Sequence, residues 1–193
     1  MDALLPESDR ARIPIATSVE HKETGDHPPR RLKPLLMVDI DGVLSLFGRV
    51  ETPLWSGCVD GSFHTIEGIP HFLSRTAAGH LLGLREHYDL VWASGWEEKA
   101  EEHLPHLLGV PEGLPFLRFG RTPRGSQAHW KLAAIDAYAG DRPLAWIDDA
   151  LTEACHAWAD ARRAPTLLVQ TVPERGLTAT EASLLGSWAR RPA

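Results

Sequence analysis

Cysteine is scarce. Only Cys58 and Cys155 occur in 193 residues, far apart in the chain, which excludes a disulfide framework and the paired-cysteine spacing of a zinc site. Both are expected to be reduced thiols in a cytoplasmic protein. Long apolar runs are also missing. No segment approaches the roughly eighteen apolar residues that span a bilayer, and the N-terminal stretch carries charges and prolines where a secretory signal needs apolar residues. A soluble chain without a membrane partner is expected. An excess of positive charge is lacking too. With a formal net charge of -6, general nucleic-acid binding is disfavoured, which leaves room only for a local basic patch. Histidine is plentiful, but His103 and His106 flank Pro105, and His80 and His87 lack the i, i+4 spacing of a ligand pair. These histidines are expected to pack or face solvent.

What is present is ordinary globular material, 43% hydrophobic and 24% charged, enough for one well-buried core. Residues 1–33 are mixed in charge, without sustained periodicity, and end near Pro28 to Arg31. They read as a tail, with residues 34–193 as one catalytic domain. Short, nearly continuous apolar runs then alternate with helical patterns. Strands are expected at Leu35 to Ile40, Asp89 to Ala93, Pro115 to Phe119, Leu144 to Ile147 and Thr166 to Gln170. The fold class is therefore α/β, a three-layer Rossmann-like sandwich around a mostly parallel sheet of about five strands.

The helical stripes are legible as well. Ala100, Leu104 and Leu108 recur at one-turn spacing, with Pro105 expected to kink or shorten the segment. Ala128, Leu132, Ile135 and Ala139 form a second stripe with Ser126 as its cap. A capping box, Thr178 with Glu181, opens a last helix burying Leu184, Leu185 and Trp188. A further helix is expected from His71 to His87. Between it and the first strand lies a small insert, roughly residues 47–68, with hairpin-like signals at Gly57 and Asp60-Gly61.

The chemistry concentrates where these strands end. Leu35-Leu36-Met37-Val38-Asp39-Ile40-Asp41-Gly42-Val43 places two carboxylates two residues apart where a buried strand becomes a loop. In a parallel sheet, ligands bind beyond the carboxyl ends of the strands, and residues i and i+2 of an extended chain point the same way. Gly42 permits a turn that a side chain would resist. Ser94-Gly95 follows the second strand, Lys131 sits early in a later helix, and Asp148-Asp149 follows Leu144-Ala145-Trp146-Ile147.

In this order and at these elements, the residues resemble the motifs of haloacid dehalogenase-like (HAD) phosphatases over roughly residues 34 to 172. The resemblance implies a phosphohydrolase in which Asp39 is the nucleophile and becomes an aspartyl-phosphate, while Asp41 acts as general acid and base. It implies phosphate binding by Ser94, Gly95 and Lys131. It also implies Mg2+ held by Asp39, the Asp41 backbone carbonyl, and Asp148 or Asp149. The superfamily's dehalogenases lack the second carboxylate of the first motif, so Asp41 favours phosphate chemistry.

Each motif taken singly has a plainer reading. Asp-x-Asp-Gly also occurs in turns and calcium loops, a serine after a strand is often a helix cap, a helical lysine is usually solvated, and paired acids can cap the next helix. The ordered set favours the functional reading. The seven tryptophans read as packing, although Trp96 is placed to line a pocket, and Arg121, Arg124 and His129 are placed to touch an anionic substrate. A small or absent cap implies an open site suited to a bulky substrate such as a phosphorylated macromolecule or nucleotide, or one closed by a partner subunit in a homo-oligomer, with the phosphorylated partner, small molecule or macromolecule, left open. Two rivals stand beside the enzyme. One is a receiver-like phosphoacceptor, in which the acidic pair precedes the phosphorylated aspartate, the reverse of the order here. The other is a non-catalytic binding protein that kept the fold.

Overall fold

The computed structural model describes residues 32–47, 59–120 and 127–191. The expectations placed on residues 1–31, Gly57, Cys58, Arg121, Arg124 and Ser126 lie outside them. Four strands, β1 (Leu35–Val38), β5 (Asp89–Trp92), β6 (Leu144–Asp148) and β7 (Thr166–Gln170), form a wholly parallel sheet in the order β5-β1-β6-β7. β1 lies inside the sheet, and all four of its residues are buried. Its side chains alternate between two cores. Leu36 and Val38 pack on one face with Ala77, Leu81, Leu104 and Leu185, whereas Leu35 and Met37 pack on the other with Ile135, Ala139 and Cys155. This two-faced burial explains why the strand is apolar at every position instead of at alternate ones.

The helices supplying those residues are α1 (Arg75–Leu84), α2 (Glu98–Leu108) and α5 (Ala179–Ala189) on the first face, and α3 (Leu132–Ala139) and α4 (Glu153–Ala161) on the second. The result is the α/β layering expected from the sequence. Among the described residues no helix is long and apolar enough to cross a membrane. Cys155 is a free, buried thiol.

A second sheet was not foreseen in this form. Strands β2 (Ser45–Leu46), β3 (Gly61–Ile66) and β4 (Ile69–Ser74) pair antiparallel in the order β2-β4-β3. The turn of its hairpin is Glu67-Gly68, both with positive φ, 51° and 81°, the twist that suits a two-residue hairpin connection. Asp60-Gly61 is therefore not the turn. Gly61 lies within the ladder, where an added Cβ would stand 2.5 Å from the Leu73 carbonyl oxygen. Nor does a helix start at His71. Residues 69–74 are strand, and α1 begins only after Ser74, whose hydroxyl accepts from the Ala77 N–H.

Three other expectations need correction. Pro115 to Phe119 makes a single bridge, Phe116 beside Trp92, so among the described residues the parallel sheet has four strands and not five. The edge contact consists of Trp92 N–H to the Pro115 carbonyl and Leu117 N–H to the Trp92 carbonyl. Pro105 does not shorten α2, which continues to Leu108 and stops at Gly109 in a left-handed conformation. In α5 the capping box of Thr178 and Glu181 is present and Leu185 is buried, but Leu184 is 45% exposed because it lies off the stripe that meets the sheet.

Candidate active site

The site residues follow the carboxyl ends of three neighbouring parallel strands. Pairing of β1 with β5 and β6 carries on past Val38: the Asp39 N–H donates to the Ile147 carbonyl at 3.1 Å, and the Ala93 N–H to the Val38 carbonyl at 2.8 Å. That register sets Asp39 between the segment leading to Ser94 and the end of β6, where Asp148 is the last strand residue. After Asp39 the chain turns sharply. The Ile40 carbonyl accepts from the N–H groups of Val43, Leu44 and Ser45. Gly42 adopts φ +70°, and a Cβ there would lie 2.5 Å from Asp149 Cγ. A glycine is thus required twice over, by the backbone conformation and by the approach of Asp149.

The loop is also braced from behind by the segment that follows β7. Thr171 Oγ1 donates to the Gly42 carbonyl at 2.8 Å, and the Leu177 N–H donates to the Val43 carbonyl at 3.0 Å. Gly176 packs so closely that a Cβ would meet the Val43 oxygen at 2.3 Å.

Lys131 joins the acids. It ends a 3-10 turn, Ala128–Lys131, that is pinned to the loop after β6 by the Ala128 N–H to Ala150 carbonyl bond. Its ammonium lies 2.8 Å from Asp39 Oδ2 and 2.7 Å from Asp148 Oδ2. All three side chains are buried. Burial alone would drive the lysine neutral, but Asp39 and Asp148 outweigh it and hold its pKa above the usual value. Asp148 Oδ1 in turn accepts from the Ala150 N–H at 2.9 Å. Asp39, Asp148 and Asp149 each offer an oxygen within 4.8 Å of the others.

One ammonium does not balance the carboxyls gathered here. Burial first, and the Asp39 charge second, raise Asp41, Asp148 and Asp149 above the ordinary carboxylate range, Asp149 to about 6. A hard-oxygen set with surplus negative charge is the donor chemistry that suits a divalent cation of the Mg2+ or Ca2+ kind. Such an ion would remove the repulsion that raises these groups. Among the described residues no histidine joins this cluster.

Of the residues singled out in the sequence, the structure brings Asp39, Lys131, Asp148 and Asp149 into one cluster. Ser94, 1% exposed, and the exposed Gly95 occupy the same rim beyond β5. Asp41 follows in the loop, half open to solvent, and its Oδ2 accepts from Trp96 Nε1 at 3.0 Å. His129 points outward. Two neighbours escaped the sequence reading. His71, on β4, has Nδ1 3.9 Å from Asp41 Oδ1 and 3.0 Å from Ser45 Oγ. The half-buried Trp130 stands beside the rim, its Cη2 3.9 Å from where a Gly95 Cβ would be, with Phe119 packed edge-on at 4.6 Å. Burial through residues 69–74 rises toward Ser74 instead of alternating, so His71 carried no local signal, whereas Trp130 was marked by its place next to Lys131.

One comparison bears on this arrangement. A family model described as the HAD domain in Swiss Army Knife RNA repair proteins matches residues 35–182. No curated protein and no solved structure matches the chain.

Proposed function

The chain belongs to that HAD family, and from this premise we propose that it is a Mg2+-dependent phosphomonoesterase working through an aspartyl-phosphate on Asp39. The observation that carries the proposal is the buried Lys131 ammonium held between Asp39 and Asp148 at a shared strand-end rim, with Asp149 completing the oxygen cluster. A cation held by Asp39, Asp148 or Asp149, and the Asp41 carbonyl would draw negative charge from the phosphoryl oxygens.

The chain's own groups supply the rest. An Asp39 carboxylate oxygen bonds to phosphorus as the ester P–O bond breaks, and Asp41 gives its proton to the departing oxygen. Water then bonds to phosphorus, its proton passes to Asp41, the Asp39–phosphorus bond breaks, and phosphate leaves. Ser94, the Gly95 backbone and Lys131 orient the phosphoryl oxygens from the opposite side.

For the substrate, the family description favours the macromolecular class, a phosphate at an RNA end. Trp130 and Phe119 beside Gly95 form an aromatic ledge on which a base could stack. The decisive experiment measures Mg2+-dependent hydrolysis of an aryl phosphate by the parent and by Asp39→Asn, then ranks RNA 3′- and 5′-phosphates against small phosphate esters. Loss of turnover by about a thousandfold in Asp39→Asn is expected. Equal turnover in the two proteins removes the mechanism, and a clear preference for small metabolites removes the RNA-end assignment.

A further inference from the structure

Asp41 and Asp149 are the two acids of the rim that stay partly open to solvent. The Asp41 side chain is 49% exposed, so nothing in its own loop prevents its carboxyl from turning between rotamers. Two groups from elsewhere in the chain bracket it. Trp96, from the turn after Ser94-Gly95, donates its indole N–H to Oδ2. His71, from the hairpin sheet, faces Oδ1 while its ring packs edge-on against Trp96 with centroids 4.8 Å apart. His71 is itself held by Ser45 Oγ, on the strand that pairs with its own. One carboxyl is thus hydrogen-bonded at Oδ2 by Trp96 from the turn after β5 and faced at Oδ1, at 3.9 Å, by His71 from the hairpin sheet.

We propose that His71 and Trp96 are positioning residues that aim the Asp41 carboxyl at the leaving oxygen, making the hairpin sheet part of the catalytic apparatus. The inference rests on the Asp39 mechanism above. Its physical basis is that proton transfer tolerates little misplacement: displacing a reacting group by about 1 Å costs on the order of a hundredfold in rate. A buried indole also seeks an acceptor for its own sake, so a purely structural Trp96 is the alternative to be separated.

The leaving group separates them. Expulsion of 4-nitrophenolate needs no proton, whereas an alkoxide does, and kcat/KM reports the step in which that group departs. Trp96→Phe keeps the ring and deletes the N–H. His71→Phe deletes both ring nitrogens, and His71→Asn returns a donor near the Nδ1 position. The expected result is that Trp96→Phe and His71→Phe lower the ratio of kcat/KM on an alkyl phosphate to kcat/KM on 4-nitrophenyl phosphate by about 10- to 100-fold. His71→Asn should recover most of that ratio.

A ratio that stays at the parent value in folded Trp96→Phe and His71→Phe, checked by thermal melts, overturns the positioning role. Equal losses on both esters, unrelieved in His71→Asn, overturn it as well. A parent protein with no Asp39-dependent turnover on either ester overturns instead the mechanism on which this inference rests.

Discussion

The parallel sheet and the hairpin sheet meet at Asp41, yet they are built on opposite plans. β1 and β6 are buried at every residue and deliver charged groups that are themselves buried, so their rim is a place of uncompensated charge. The hairpin is graded along its length, with Phe63 and Ile69 more than half exposed and Phe72, Leu73 and Ser74 buried toward the end of β4 that pairs with β2. Rigidity and electrostatic tension belong to the first region. The second contributes the buried end of β4 and one histidine at the edge of the site. Substitutions in the two sheets should therefore have very different costs.

The largest stability effect is expected at the rim. Lys131→Met leaves Asp39 and Asp148 facing each other without a counter-charge, and breaking a buried pair in this way costs about 3–5 kcal/mol. Urea unfolding without divalent metal measures it, and the loss should shrink when Mg2+ is added. A loss below about 1 kcal/mol would break the comparison, because it would mean the rim carries no such tension.

A smaller effect, reached without mutation, concerns pH. Asp41, Asp148 and Asp149 have raised pKa values in the folded chain, chiefly through burial and then through Asp39. A carboxyl whose folded pKa lies above its unfolded value favours folding while protonated. Its contribution falls as pH rises from the unfolded value near 4 through the folded one, about 6 for Asp149. The metal-free melting temperature should accordingly decline across that window from these groups, and the gain on adding Mg2+ should grow with pH. Calorimetry at matched ionic strength checks the sign, and a metal-induced gain that shrinks as pH rises would contradict it.

The smallest effect belongs to the hairpin surface. Ile69→Thr, at a position 58% exposed, should change stability by no more than about 0.5 kcal/mol. A thermal melt showing several times that loss would mean the outer face is covered, and the contrast between the sheets would need redrawing.

This contrast also decides what could be read from the sequence. The runs ending in Asp39, Ser94 and Asp148 were legible because burial on both faces leaves no polar interruption, so the first polar residue marks the strand end and the site together. Lys131 was legible from its place early in a later helix, in order with the other motifs. The hairpin was not. Its turn uses Glu67, a residue without the usual left-handed preference, while Gly61 imitates a turn signal but serves a close approach to Leu73. Residues 71–74 continue smoothly into the apolar pattern of α1, so strand and helix merged into one predicted helix. His71 consequently lost its neighbour Asp41, a contact across 30 positions that no local pattern encodes. Pro115 to Phe119 failed for another reason: an apolar run at a sheet edge needs a continuing ladder to become a strand, and one bridge is all it forms.

The bond from Thr171 to the Gly42 carbonyl, with Leu177 and Gly176 closing on Val43, has a bearing on how the molecule comes into being. Ribosomal synthesis delivers the first acidic loop more than a hundred residues before its brace. Until that later stretch has emerged, the nascent chain possesses Asp39 and Asp41 but lacks the hydrogen bonds that set their loop. The loop can settle into its final shape only after residues 171 to 177 have been made.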